Sequence, residues 1–171
     1  MSHAKNKVDW CLKKAEKELK EGDTHRGLIK VKPDKKEIYD HIAKAEHNLK
    51  AGIDFPKIGY SDWSASAFFY SMYQCFLAIA EKFGYRSGNQ ECTFALIRSL
   101  IEEKKIDFDI KLLEKVASIE VRQAKQEEKT SVKVREQYQY GTELSIPDDL
   151  FNELRELSQK VLSKTKEITE E

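Results

Sequence analysis

The segment REQYQYG, residues 135–141, carries side chains that could hold a phosphate group and an aromatic base. Arg135 offers a planar guanidinium fork suited to phosphate, and Tyr138 offers a ring for stacking and a hydroxyl group. Because these two residues are three positions apart, they share one face of a continuous helix. Tyr140 lies near the helix end that Gly141 marks and points elsewhere. The segment therefore predicts a ligand-binding site, and the structural alternative is that Arg135 pairs with an acidic neighbour while the tyrosines cap the core.

A stripe of basic residues precedes this segment. Its members recur every three or four positions: Arg122, Lys125, Lys129 and Lys133. A stripe of this kind can follow a phosphate backbone, so Arg122 and Lys129 are further ligand-binding candidates. Glu127 and Glu128 interrupt the region, and a solvated helix face is the alternative explanation.

The chain lacks the sequence patterns of common catalytic and cofactor sites. Its histidines are His3, His25, His41 and His47. His41 and His47 are six positions apart and lie on different faces of one helix, and the paired Glu-x-x-His elements of a di-iron bundle are missing. No phosphate loop, dinucleotide fingerprint, Gly-x-Ser-x-Gly element or Cys-His pair occurs. The sequence therefore predicts no metal site, no cofactor and no recognisable enzyme class.

Composition narrows the class of protein. A chain of 171 residues, 40% hydrophobic and 35% charged, fits one domain with a core and a charged exterior. Its 30 basic and 30 acidic residues cancel, which gives no global electrostatic case for a nucleic-acid or membrane-surface protein. Residues 1–21 lack the apolar run of a signal peptide. These features predict a cytoplasmic protein.

The cysteines are odd in number and never spaced as Cys-x-x-Cys. They are Cys11, Cys75 and Cys92. We expect each to pack as a small hydrophobe rather than to act as a metal ligand, a nucleophile or a disulfide partner.

Residues 61–85 form the least polar stretch of the chain. Between Trp63 and Ala80 the polar side chains, apart from two tyrosine hydroxyls, are Ser64, Ser66, Ser71 and Gln74. The apolar segment is shorter than the about 20 residues of a membrane-spanning helix. An apolar helix of a soluble protein occupies the centre of a bundle. We therefore predict no membrane span and a central helix whose buried side chains include Phe68, Met72, Phe76, Ile79 and Phe83.

The remaining elements also read as helices. Apolar periodicity predicts them over 5–21, 34–51, 89–104, 107–140 and the segment after Pro147, with 107–140 either one helix or two that break near Thr130-Ser131. Expected caps are Ser61 or Asp62 for the central helix, and a Ser145–Asp148 capping box for the last. The only strand candidate is the short alternating segment 27–32. The fold class is all-α, with residues 1–33 as an N-terminal extension packed on a bundle of residues 34–171.

The order of these parts resembles the HEPN family of small prokaryotic helical-bundle proteins, and within it the type associated with minimal nucleotidyltransferases. The resemblance covers residues 34–169. It rests on helix order, on the small-and-aromatic helix SASAFFYSMYQCFLAIAEKFGY, and on an Arg-x-x-Tyr element, VREQYQYG, before the last helix, SIPDDLFNELRELSQKVLSKTKEI.

This resemblance implies an up-down bundle of five to six helices that forms homodimers. Many such proteins are RNases, often toxins, that a nucleotidyltransferase encoded beside them neutralises; others bind nucleotides or RNA without catalysis. The family's RNase motif is an Arg followed, after four to six residues, by a His. In it the Arg would hold the scissile phosphate and the His would act as general acid or base.

This chain departs from that motif, because its last histidine is His47 and no arginine has a histidine at the required spacing. After Arg135 the motif positions hold Tyr140, Gly141 and Thr142. A phenol with a pKa of about 10 is a poor general base at neutral pH. The favoured hypothesis is therefore a non-catalytic dimer that binds a nucleotide, an RNA or a nucleotidyltransferase partner. The alternative is a diverged, metal-independent RNase that uses Arg135 with Tyr138 or Tyr140.

Overall fold

A computed structural model describes residues 2–117 and 131–171 of the chain. Within these ranges there are seven α-helices: α1 (His3–Lys20), α2 (Lys35–Asp54), α3 (Ser64–Lys82), α4 (Gln90–Glu102), α5 (Ile110–Val116), α6 (Ser131–Tyr140) and α7 (Asp148–Glu170). Two short 3-10 turns, Phe55–Ile58 and Ser61–Trp63, join α2 to α3. The chain is mostly helical, as predicted, although the helices described outnumber the five to six expected.

One small sheet departs from the all-α prediction. The strands β1 (Leu28–Lys30) and β2 (Tyr85–Ser87) pair antiparallel, with Ile29 opposite Arg86. Strand β1 lies inside the segment 27–32, the one strand candidate of the sequence. Pairing with β2 and full burial of Leu28 stabilise it.

Helix α3 is the central helix, as its composition predicts. It packs against α2, α7, α6 and α4. The predicted side chains Phe68, Met72, Phe76 and Ile79 are completely buried. Phe83 is only half-buried, because it follows the last residue of the helix. No described helix is long and apolar enough to span a membrane.

Two serines of α3 bind the backbone of α2. The hydroxyl groups of Ser64 and Ser71 donate hydrogen bonds to the carbonyl oxygens of Gly52, at 2.8 Å, and Ala45, at 2.7 Å. Both acceptors lie on α2, so a buried serine satisfies its own hydroxyl and fixes the register of the two helices. At Gly52 the helices are so close that a Cβ atom would lie 2.7 Å from the Phe68 ring.

The N-terminal helix α1 packs on α4 and β1. Its inner face carries Val8, Cys11 and Ala15, all buried. Cys11 forms a disulfide with Cys92 at the start of α4, with the two Cα atoms 6.0 Å apart. The prediction that these two cysteines would not pair is therefore wrong. Separate helices bring them together across 81 positions of sequence, a distance at which spacing carries no signal.

Cys75 behaves as predicted for a buried hydrophobe. It is a free thiol inside the core, and burial raises its pKa to about 12. A thiol with so high a pKa carries almost no thiolate at neutral pH, so it is not a nucleophile.

Two predicted helix caps do not form. The helix α3 begins at Ser64, with Trp63 at the N-cap, and the Ser61 hydroxyl instead accepts a hydrogen bond from the Ile146 backbone N–H at 3.2 Å. This bond ties the loop before α7 to the start of α3. Pro147 occupies the N-cap of α7, and no side chain of the described structure caps that helix. The Ser145–Asp148 capping box was thus wrong, and Ser61 serves a tertiary contact.

Candidate functional site

Helix α6 carries Arg135 and Tyr138 on the face that packs against α3. Both residues are 8% exposed. Arg135 lies over the aromatic ring of Phe69, with 4.8 Å from its Cζ atom to the ring centroid, and 5.7 Å from that of Tyr70. The structure therefore brings Arg135 together with two aromatic residues of the central helix.

The guanidinium of Arg135 is only partly satisfied. Its Nη1 donates hydrogen bonds to the Tyr70 hydroxyl at 3.1 Å and to the Gln139 side-chain oxygen at 3.4 Å. Its Nη2 lies 3.5 Å from the half-exposed carboxylate of Glu136. Its Nε is buried and has no hydrogen-bond partner within the described part of the chain. A buried cation with a spare donor and one long ion pair is well suited to accept an anion.

Tyr138 takes a different environment from Arg135. It packs in an apolar cluster with Ala65, Phe68, Val134, Ile146 and Leu154. Burial raises the pKa of Tyr138, and the nearby Glu143 carboxylate raises it further. The hydroxyl therefore stays protonated at neutral pH, and the ring caps the core as the structural alternative proposed.

Tyr140 is separate from both. It is the last residue of α6 and is 75% exposed. The Gly141 backbone N–H donates to the Gln137 carbonyl at 2.8 Å where the helix ends, as predicted from the glycine. Tyr140 therefore points away from Arg135. The candidates Arg122 and Lys129, with Lys125 of the same stripe, lie outside the described residues, and Lys133 is exposed on α6.

Sequence reasoning missed Tyr70 as the partner of Arg135. The central helix carries three further aromatic residues around the predicted buried stripe, namely Phe69, Tyr70 and Tyr73. Phe69 is completely buried, and the half-buried Tyr73 hydroxyl lies 3.2 Å from the Thr93 hydroxyl. Tyr70 remains 37% exposed. The available signal was a hydroxyl-bearing aromatic residue on an otherwise apolar helix, and nothing in the sequence linked it to a residue 65 positions away.

Trp63 lies on the same side of α3 as Tyr70, because the two residues are seven positions, or about two helical turns, apart. It is 52% exposed. Both rings border a groove between α2 and α3. The candidate site thus joins a buried guanidinium to exposed aromatic surface.

No protein-family model and no curated protein matches this chain. Membership of the HEPN family therefore stays a prediction.

Proposed function

We propose that this chain is a non-catalytic, HEPN-like helical protein that binds a nucleotide or RNA through a phosphate group at Arg135. The observation that carries the proposal is the state of the Arg135 guanidinium, which is buried against aromatic rings and whose Nε has no partner among residues 2–117 and 131–171. Leaving a buried donor unpaired costs about 1 to 3 kcal/mol. A phosphate oxygen would remove that cost and neutralise the charge, which the distant Glu136 carboxylate does only weakly.

The proposal includes a nucleotidyltransferase as protein partner, in a two-component system of the toxin–antitoxin type. The family resemblance supports it, and a nucleotidyltransferase gene beside this one would add support. Location in the cytoplasm stays a prediction, against which the Cys11–Cys92 disulfide counts, because such bonds are rare in reducing compartments.

Replacing Arg135 by alanine is expected to weaken the binding of single-stranded RNA about tenfold. It should also lower the slope of log affinity against log salt by about one, because one phosphate contact is lost. Fluorescence polarisation with a labelled oligonucleotide at several salt concentrations measures both. The melting temperature should stay within a few degrees of that of the natural chain.

The matched control is Arg155→Ala. Arg155 also lies near an aromatic ring, 5.9 Å from that of Phe151, but on α7. The Arg155→Ala variant should leave RNA affinity unchanged. If Arg135→Ala mainly unfolds the protein, or alters affinity no more than Arg155→Ala, then Arg135 is structural and the proposal is wrong.

We also expect no RNase activity above that of a mock-purified control. The motif histidine is missing, Tyr138 is held protonated by burial, and Tyr140 points away from Arg135. Incubation of total RNA with the purified protein tests this. Cleavage that persists through further purification and disappears in Arg135→Ala would establish the diverged RNase instead.

The proposed homodimer is expected to have twice the mass of one chain in light scattering at micromolar concentration. Besides the family resemblance, exposed apolar side chains support it: Ile58, Tyr60 and Leu144. They lie on adjoining segments, because the Ser61–Ile146 bond joins the two loops. Leu144→Glu should shift the protein towards the monomer, whereas Leu19→Glu, at an exposed leucine of α1, should not. A monomeric natural chain would contradict the dimer.

A further inference from the structure

The helices α2 and α3 run antiparallel and leave a groove open to solvent. Contacts from Gly52 to Ser64, from Ala45 to Ser71 and from His41 to Gln74 follow each other along the helix pair. The groove has a volume of about 380 Å³. Its principal lining residues are Lys44, Asn48, Phe55, Trp63, Tyr70 and Gln74.

The two ends of the groove differ in chemistry. Phe55 and Trp63 lie at the Gly52–Ser64 end and present aromatic rings. Lys44 and Gln74 lie at the His41 end and present a cation and an amide. Tyr70 stands between the ends, and its hydroxyl accepts the hydrogen bond from Arg135.

Several polar groups of the groove have unused hydrogen-bonding capacity. Ser66 lies in its lining, is buried, and its hydroxyl has no hydrogen-bond partner among the described residues. Gln74 accepts from the His41 Nδ1 at 2.7 Å through its oxygen, which leaves its NH₂ group for a ligand. The side chains of Lys44 and Asn48 make no ion pair or hydrogen bond in the described part of the chain, and no described carboxylate lines the groove. A planar ligand with a polar edge and a negative charge matches this set.

We propose that this groove is the base-binding half of a nucleotide site. The ring of a nucleobase would stack against Trp63 and Tyr70, and its polar edge would meet the Ser66 hydroxyl and the amides of Asn48 and Gln74. The phosphate would be held by Lys44 or, past the Tyr70 ring, by Arg135. The inference rests on the proposed function only in taking the ligand to be a nucleotide. To Arg135 on α6 it adds a second set of binding residues, which lie on α2, on α3 and on the segment between them.

Tryptophan fluorescence gives a direct test, because the chain has two tryptophans, Trp10 and Trp63. In a Trp10→Phe background, Trp63 is the only tryptophan, and a stacked base quenches its emission. Titration with AMP and UMP should give saturable quenching, and adenosine should quench with lower affinity. Inorganic phosphate, which has no ring, should not quench.

Variants locate the site. Ser66→Val and Asn48→Leu, each made in the Trp10→Phe background, should weaken AMP binding at least about tenfold while the melting temperature changes by only a few degrees. The control is Tyr39→Ala, at an exposed tyrosine of α2 outside the groove, and should leave the titration unchanged. Lack of saturable quenching by either nucleotide at millimolar concentration would overturn the inference. Quenching that survives both groove variants would overturn it as well.

The fluorescence titration and the RNA-binding assay together separate this inference from the proposed function. If Arg135→Ala weakens RNA binding as expected while no nucleotide quenches Trp63, the groove inference fails and the phosphate site at Arg135 stands. If adenosine and AMP quench Trp63 with equal affinity, and Ser66→Val removes both, the groove binds bases, and the assignment of the phosphate to Lys44 or Arg135 is wrong.

Discussion

Phe76→Ala is expected to lower the free energy of unfolding by about 3 to 5 kcal/mol. Phe76 is completely buried in α3, and its ring makes edge-on contacts with Phe94 and Phe108, each at 5.9 Å between centroids. Truncation removes the transfer free energy of the ring and leaves a cavity whose aromatic walls lose their partner. Urea denaturation followed by circular dichroism, with the same slope for both proteins, measures the difference.

The control for Phe76→Ala is Tyr39→Ala on α2. Tyr39 is exposed, so its truncation should change the free energy of unfolding by no more than about 0.5 kcal/mol. A loss below about 1 kcal/mol for Phe76→Ala would mean that α3 is not the centre of the core. The ring contacts of Phe76 are with Phe94 and Phe108 and not with Arg135, so the folded variant should retain RNA affinity.

The helices could be predicted because each buries a periodic apolar face. Ile38 and Ala45 of α2 are buried at helical spacing, and so are Leu154, Leu157 and Val161 of α7. The small sheet could not be predicted with the same assurance, since each strand has three residues and is defined only by pairing with a distant strand. Ile29 of β1, for example, lies opposite Arg86 of β2, 57 positions further along the chain. The disulfide was missed for a similar reason, because helix packing rather than spacing brings Cys11 to Cys92.

The candidate site was predicted in part. Helical spacing indicated that Arg135 and Tyr138 share a face of α6, and both do pack against α3. The two residues are, however, about one helical turn apart along α6, so they contact different residues of α3. Arg135 reaches Phe69 and Tyr70, whereas Tyr138 reaches the cluster around Phe68. A sequence gives the face of a helix, but the residue met on the opposing helix depends on tertiary register.

Reduction of the Cys11–Cys92 disulfide is expected to lower the free energy of unfolding by about 3 to 4.5 kcal/mol. The bond closes a loop across 81 positions of sequence, and chain-entropy arguments give about 4.5 kcal/mol for a loop of that length. The lower figure of about 3 kcal/mol allows for a compact unfolded chain, which has less conformational entropy for the disulfide to remove. Urea denaturation with and without a phosphine reductant measures the change, and a Cys11→Ser, Cys92→Ser double variant should show no response to the reductant.

Thiol titration in denaturant shows whether the bond is present at all. The chain has three cysteines and one disulfide, so the unreduced, unfolded protein should expose one thiol, that of Cys75, and the reduced protein three. Three thiols before reduction would contradict the disulfide and leave α1 held to α4 by packing alone.

If the bond is present, its loss should act first on α1, whose buried face consists of four small or medium side chains, Ala4, Val8, Cys11 and Ala15. Amide exchange in α1 should then accelerate on reduction well before exchange in α3, because α3 is held by contacts with α2, α4, α6 and α7.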